Sequence, residues 1–151
     1  MIQRLTSPEP ARLARLAAVH EAAFAPDARG WSADEIASLV GNGALFAEAE
    51  DRAFALFSQA ADEAELLTVA VDPPHQRQGL ARALLTAAEA DLTTSGAAKI
   101  FLEVAADNHA AAALYRRLGY QVAGVRKGYY RRRGADPVDA DMMAKTLRTA
   151  R

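Results

Sequence analysis

Apolar side chains recur at helical spacing in four parts of the chain. Leu80, Leu84, Ala88 and Leu92 recur every four residues, which places them on one face of a helix over 79–95. Gly96 follows that face as a natural C-terminal cap. The same kind of spacing predicts further helices over 8–24, 32–40 and 107–118, and Ser32 begins a capping box at the start of the second of these three.

Short apolar runs between these helices predict β-strands, at 44–49, 53–59, 65–71, 99–104, 120–130 and 139–147. In the strand at 99–104, alternation puts Ile100, Leu102 and Val104 on one face and Phe101 and Glu103 on the other. Strands that alternate with helices imply a mixed α/β sheet covered by helices. The strand-helix-strand unit over 65–104 would form a right-handed parallel crossover.

Composition narrows the classes of function. The length of 151 residues predicts one domain, 1–151, and the formal net charge of −1 favours neither nucleic acid nor a membrane as a partner. The absence of cysteine excludes a thiolate zinc site and a cysteine-bound acyl intermediate, and His20, His75 and His109 lack metal-ligand spacing. With no secretory signal and no apolar run of about 20 residues, we expect a soluble cytoplasmic protein.

The segment from Val69 to Arg82 places a tight loop between a buried strand and a helix N-terminus. The start of a helix presents unpaired N–H groups and the positive end of the helix dipole, which together suit a pyrophosphate. Gly79 lets the backbone approach the phosphates, Ala81 keeps the next position small, and Arg77 and Arg82 can add charge. Taken alone, a glycine at a strand-helix turn more often marks a simple tight turn. The segment lacks the lysine and Ser/Thr of a P-loop and the glycines of the dinucleotide pattern.

A second informative segment is the helix over 107–118. Asn108 and Tyr115 are seven residues apart, about two helical turns, and so share a face. Without the loop described above, the simpler interpretation would be a capping asparagine and a packed core tyrosine.

The two segments together resemble the GNAT superfamily of N-acetyltransferases. The resemblance lies in Gln76-x-x-Gly79-x-Ala81 and in Asn108-x-x-Ala111-x-x-Leu114-Tyr115 followed by Leu118-Gly119-Tyr120. It implies an α/β (α+β) fold with a single mixed, mostly antiparallel central sheet, helices on both faces and a cofactor-binding strand-loop-helix. It also implies acetyl-CoA as cosubstrate, with no metal.

Further residues resemble the bacterial ribosomal-protein-alanine N-acetyltransferase branch of this superfamily. They are Leu102-Glu103-Val104, the run 126–130, Asp141-Met142-Met143, and the early His20, Phe24 and Trp31-Ser32. Gly30 departs from the branch, which often has proline there, and this departure concerns a loop near the acceptor. The branch implies a protein N-terminus as acceptor, the alanine amine of a ribosomal protein.

The resemblance also implies roles for individual residues. Glu103 would be the base, Tyr115 the acid that protonates the sulfur, and Asn108 would hold the pantetheine arm. The backbone of Val69, Ala70 and Val71 would pair with that arm like an added strand. The pyrophosphate would be bound by the loop residues Arg77, Gln78, Gly79, Leu80, Ala81 and Arg82.

Some alternatives stay open at the level of sequence. Burial among apolar neighbours would make Glu103 more basic, but a solvated glutamate fits the same position, and Glu65 is a rival base. Either Tyr129 or Tyr130 could line the acceptor cleft. The run 131–133 of arginines could meet an acidic acceptor or the 3′-phosphate of the coenzyme, or form a solvated loop.

Two other functions also fit the sequence. One is a GNAT enzyme that acts on a small-molecule amine. The other is a coenzyme A-binding module without turnover, against which the presence of both Glu103 and Tyr115 argues.

Overall fold

The computed structural model describes residues 1–25, 28–132 and 134–147. Seven strands form one sheet in the order β1-β2-β3-β4-β5-β7-β6, in which only the β4–β5 pair is parallel. The elements in chain order are β1 Ile2–Leu5, α1 Pro10–Phe24, α2 Ala33–Val40, β2 Gly43–Glu48, β3 Ala53–Ala60, β4 Glu63–Val71, a 3₁₀ turn Pro73–His75, α3 Leu80–Thr94, β5 Lys99–Ala105, α4 His109–Arg117, β6 Gln121–Arg132 and β7 Ala135–Thr146.

The predicted helices and the mixed, mostly antiparallel sheet are confirmed, and the predicted capping groups do form. The Ser32 side chain accepts from the backbone N–H of Glu35, and the Glu35 carboxylate accepts from that of Ser32. The side chain of Asn108 accepts from the backbone N–H of Ala111 at 3.2 Å. No helix in the described ranges is both long and apolar enough to cross a bilayer.

The strands of the structure differ from the predicted ones in two places. β1 was not predicted, and it forms because Ile2–Leu5 pairs with β2. The expected arginine-rich loop is mostly strand, since β6 continues through Arg131 to Arg132, and Arg132 pairs with Ala135. Arg133, the remaining member of that loop, lies outside the described residues.

Both faces of the sheet are covered by apolar layers. Ile100, Leu102 and Val104 of β5 are buried on one face, as their alternation predicts, against the buried side of α3 and Tyr115 of α4. The other face is covered by α1 and α2. β2 and β3 supply side chains to both layers, which explains why they read as continuous apolar runs rather than alternating ones.

β4 contains one extra residue relative to its neighbour β3. Leu56 pairs with Thr68 and Phe57 with Leu66, so Leu67 has no partner and forms a bulge. Leu66 packs into the layer on the α3 side and Leu67 into the layer on the α1 side. A bulge bends its strand and increases the twist. β4 accordingly pairs with β5 only up to Glu65↔Phe101, and the two strands separate beyond that point.

A buried histidine fastens the start of α2 to the sheet. The Nδ1 atom of His20 accepts the backbone N–H of Trp31 at 3.0 Å, which leaves Nε2 to donate to the Thr68 hydroxyl on β4 at 3.1 Å. The imidazole stacks between the rings of Phe24 and Trp31. Burial, the largest influence, lowers the pKa of His20 to about 4, so the ring is neutral at neutral pH.

We expect His20→Phe to lower the free energy of unfolding by about 1–3 kcal/mol at pH 7.5, because the Trp31 N–H and the Thr68 hydroxyl lose their partner. The difference in the free energy of unfolding between His20→Phe and the parent should decrease by about 2 kcal/mol on acidification to pH 4.5. Unfolded His20 takes up a proton near pH 6.5 and folded His20 only near 4, so the parent alone loses this contribution as the pH falls through that window. Urea unfolding followed by circular dichroism measures both quantities.

The exposed His109 provides a control for that experiment, since His109→Gln removes an imidazole from the surface rather than from the interior. Its unfolding free energy at pH 7.5 should stay within about 0.5 kcal/mol of that of the parent. A His20→Phe difference that stayed constant from pH 7.5 to 4.5 would contradict the proposed titration.

Candidate active site

The separation of β4 from β5 leaves an open strand edge. Val69, Ala70 and Val71 pair with Ala55, Phe54 and Ala53 of β3 on one side, whereas the β4–β5 ladder stops at Glu65. The backbone groups on the β5 side are therefore without a strand partner within the described sheet. An open edge of this kind accepts an extended molecule as an additional strand.

The loop from 72 to 79 connects that edge to the start of α3. The side chain of Gln76 donates to the carbonyl of Val71 at 3.1 Å and ties the loop to the strand end. Arg77 and Gly79 both adopt left-handed backbone conformations, with φ of 64° and 81°. The Gln76 contact gives a structural role to a motif residue for which the sequence alone suggested none.

The first turn of α3 has the features of an anion site. Gly79 is its N-cap, and no side chain caps the helix. A Cβ atom placed at Gly79 would meet nothing within 4 Å, so the space before the helix is open, while the positive φ favours glycine. The other predicted phosphate-loop residues surround this opening: Arg77, Gln78 and Arg82 are exposed, and Leu80 and Ala81 are partly buried.

Asn108 lies at the start of α4, where its side-chain oxygen is occupied by the cap to Ala111. The interpretation of Asn108 as a helix cap is therefore correct, and the side-chain oxygen is the atom that forms the cap. The side-chain NH₂ group supplies two further donors, which the cap does not use. A ligand contact through Asn108 would have to use that group.

Tyr115 is buried in the layer between the sheet and the helices α3 and α4, and 6% of the residue is exposed. Its ring packs edge-to-face on Tyr120, with centroids 5.9 Å apart. Burial, and secondarily the neighbouring Tyr130, raises the pKa of Tyr115 to about 12. The hydroxyl is thus protonated and able to donate throughout the neutral range.

Glu103 lies on the opposite face of β5 from the buried Leu102 and Val104, and its side chain is 22% exposed. Its Oε1 atom is 3.1 Å from Nε of Arg126 on β6. The rival base Glu65 is exposed and pairs with Phe101, at the end where β4 and β5 remain joined. Of the two carboxylates, only Glu103 lies beyond the last paired residues.

Tyr130 is the electrostatic neighbour of both predicted catalytic residues. Burial raises the pKa of the half-buried Tyr130 hydroxyl, with a further contribution from Glu103, and Tyr130 in turn affects Tyr115. Tyr129, by contrast, is 50% exposed. The structure thereby distinguishes two adjacent tyrosines that the sequence left equivalent, because strand register decides which one turns toward the site.

Arg132 binds Asp107 rather than standing free on the surface. Its Nη2 atom is 2.8 Å from Oδ1 of Asp107, and this contact is the main cause of a lowered pKa at Asp107. Arg132 also lies over the ring of Tyr130. In the part of the chain that the structure describes, no three His, Asp or Glu side chains are grouped so as to hold a metal ion.

Comparison with known proteins gives consistent matches. The model of the Acetyltransferase (GNAT) family matches residues 2–120. A segment of 78 residues is 50% identical to the [ribosomal protein bS18]-alanine N-acetyltransferase of Escherichia coli K12, covering 52% of this chain and 53% of that protein. A segment of 74 residues is 46% identical to the N-alpha-acetyltransferase RimI of Mycobacterium tuberculosis, covering 49% and 45% of the two chains. The chain thus spans about half the length of the curated relatives it matches.

The crystal structure of the ribosomal-protein-S18-alanine N-acetyltransferase from Escherichia coli superimposes with a TM-score of 0.86 at 36% identity, covering 100% of this chain and 97% of that one. The Ard1 protein from Thermoplasma volcanium shares the fold, with a TM-score of 0.77 at 21% identity over 98% and 97% of the two chains. Together with the open β4 edge and the uncapped start of α3, these matches show that the chain belongs to the acetyltransferase (GNAT) family.

Proposed function

We propose that this chain is a single N-acetyltransferase domain that uses acetyl-CoA to acetylate the α-amine of a protein N-terminus beginning with alanine, with a ribosomal protein as acceptor. The observation that carries the proposal is the open edge of β4, which leads through the Gly79 loop to the uncapped start of α3. The names of relatives in Escherichia coli and Mycobacterium tuberculosis support the choice of acceptor.

The loop and the strand edge fit the two chemically different parts of coenzyme A. Its pyrophosphate suits the backbone N–H groups at the start of α3, because they and the helix dipole favour an anion and the space before Gly79 is open. The amides of its pantetheine arm suit the free backbone groups of 69–71. The donors of the Asn108 side-chain NH₂ group suit the same arm.

Glu103 removes a proton from the acceptor. An N-terminal amine is mostly protonated at neutral pH, and it must lose a proton before its nitrogen can attack. Bound acetyl-CoA supplies the thioester carbon that accepts the amine nitrogen and the sulfur that leaves. The chain has no cysteine to carry the acetyl group, so the amine attacks directly in a ternary complex. Positioning of the two substrates then contributes a large part of the rate.

Tyr115 donates toward the departing sulfur. The acceptor ammonium loses two protons on its way to the amide. The first passes to Glu103 and on to solvent before the amine attacks. The second is lost after attack and restores the phenol of Tyr115, which has given its proton to the departing thiolate. The raised pKa of about 12 keeps the phenol protonated at every pH at which the amine reacts. Loss of Tyr115 and loss of Glu103 should therefore change the pH dependence of the rate in different ways, which an experiment can distinguish.

The acceptor preference is testable with three amines of similar length: a peptide beginning with alanine, the same peptide with a blocked N-terminus and an internal lysine, and a polyamine. We expect kcat/KM to favour the free N-terminus by about tenfold or more, because at neutral pH a far larger fraction of α-amines than of lysine amines is unprotonated. Mass spectrometry locates the acetyl group. Turnover restricted to lysine or to small amines would reject the proposed acceptor but leave acetyl transfer intact.

We expect Gly79→Asp to weaken acetyl-CoA binding about a hundredfold or more, since a carboxylate about 4 Å from the pyrophosphate costs several kcal/mol of repulsion. Isothermal titration calorimetry on the folded variant measures this affinity. Gly96→Asp is the matched control, because Gly96 also has a positive φ and open space before it, and it lies at the other end of α3. Unchanged affinity in Gly79→Asp would overturn the assignment of the phosphate site.

We expect Tyr115→Phe to lower kcat by roughly 10²–10⁴-fold with little change in acetyl-CoA affinity, because it keeps the buried ring and removes only the donor. The shape of its pH–rate profile should match that of the parent, as the phenol does not titrate below about pH 12. Glu103→Gln should instead lower kcat/KM most at neutral pH and recover part of its rate at high pH, where the amine deprotonates unaided.

These two variants are compared by profiles of kcat/KM against pH and by single-turnover rates. If Glu103→Gln follows the parent along the acidic limb, Glu103 is not the base. If Tyr115→Phe keeps the full single-turnover rate, the thiolate leaves without a donor and Tyr115 serves packing alone.

A further inference from the structure

Glu103 receives its counter-ion from a strand that is not adjacent to its own. Glu103 pairs with Met142 of β7, and Met142 faces Gly124 of β6. Neighbouring strands lie about 4.8 Å apart, so roughly 10 Å separates the backbones of β5 and β6. Gly124 has no side chain and therefore offers no partner to Glu103. The positively charged partner is instead Arg126, the next residue of β6 on the same face of the sheet.

The path of the Arg126 side chain to Glu103 crosses a small residue. Arg126 pairs with Ala140 of β7, and Ala140 pairs with Ala105 of β5. Both partners are alanines, and Ala140 is fully buried. A larger residue at 140 would stand in the way of the guanidinium. The register of three strands, rather than any local motif, therefore brings Arg126 within 3.1 Å of the carboxylate.

Two further contacts hold Arg126 and its strand in this position. The guanidinium lies over the ring of Tyr129, 5.4 Å from its centroid. Two residues after Arg126, Gly128 adopts a φ of 60°, and its N–H donates to the carboxylate of Asp139 at 2.8 Å. β6 is irregular between Arg126 and Tyr130, and the Gly128 contact fixes that irregularity to β7. Arg126 is thus anchored even though about half of its side chain is exposed.

We propose that Arg126 is a positioning residue for the base: its guanidinium holds Oε1 of Glu103 and so fixes the orientation of the carboxylate toward the incoming amine. This inference rests on the proposed function, in which Glu103 accepts the proton of the acceptor. It adds that the base works as a pair with Arg126. The acceptor ammonium then approaches a carboxylate that is already oriented.

The groups that surround Glu103 support Arg126 as its counter-ion. From β6 the titratable or charged groups that face it are Arg126 and Tyr130, and from β7 its partner is the apolar Met142. On the α1 side of the sheet, the Thr68 hydroxyl and the neutral His20 bind one another. Arg126 is the cation in contact with this carboxylate among residues 1–25, 28–132 and 134–147.

The test compares kcat and the KM for a peptide beginning with alanine, measured at saturating acetyl-CoA across a pH profile, for the parent, Arg126→Gln and Arg126→Lys. Without the guanidinium the carboxylate is no longer held in place, so kcat of Arg126→Gln should fall about three- to tenfold while KM stays within about twofold of the parent. Arg126→Lys retains a cation and should recover most of the parental kcat.

Lys127→Gln is the matched control, since it removes the same charge from the adjacent exposed position and should leave the profile unchanged. A double-mutant cycle then asks whether Arg126 acts through Glu103. In the Glu103→Gln background, Arg126→Gln should change kcat/KM by less than about twofold. An unchanged kcat in Arg126→Gln, or an undiminished effect in the Glu103→Gln background, would overturn the inference and make the contact an ordinary surface ion pair or a direct substrate contact.

The experiment also separates failure of this inference from failure of the proposed function. If Glu103→Gln is impaired and Arg126→Gln keeps the parental kcat, only the positioning role is wrong. If Glu103→Gln behaves like the parent, the assignment of the base is wrong and the positioning role fails with it. If the parent acetylates only another amine, the same variants are compared on that amine.

Discussion

The bulge at Leu67 is the constraint on which the rest of this structure depends. One extra residue in β4 puts the consecutive residues Leu67 and Thr68 on the same α1 side of the sheet. The ladder between β4 and β5 ends just before it, after three residue pairs. A sheet that continued to pair here would leave no strand edge for an extended ligand and would close the space between the two strands. The site is therefore an interruption of the hydrogen bonding of the sheet, and the interruption arises within a strand rather than in a loop.

Such an interruption costs stability, because backbone N–H and C=O groups lose strand partners. Packing on both faces offsets that cost. Beyond the bulge, Val69 and Val71 pack on the α3 side and Ala70 on the α1 side, so the separated part of β4 is still held by apolar contacts. On the α1 side, His20 adds a hydrogen bond to Thr68 within the same stretch. The strand can stay extended and available for a ligand without being paired on both sides.

The same geometry gives the two predicted catalytic groups different environments. Tyr115 is buried in the layer below the sheet, whereas Glu103 lies on the other face, partly exposed and beside Arg126. Burial keeps the phenol protonated, whereas the carboxylate is in contact with a guanidinium. The proposed proton donor and proton acceptor thus come from opposite faces of the sheet, and Tyr130 is an electrostatic neighbour of both.

The sequence by itself determined the features that depend on near neighbours in the chain. The helix faces, the capping box at Ser32, the glycine before α3 and the buried face of β5 all follow from spacings of a few residues, and all are present. Only the tertiary structure decided the pairing of β1, the length of the β6–β7 hairpin, the bulge at Leu67 and the contact of Arg126 with Glu103. All four depend on the register between neighbouring strands of the sheet, and register is set by how both apolar layers pack at once. A periodicity read along one segment contains no information about the segment that lies beside it.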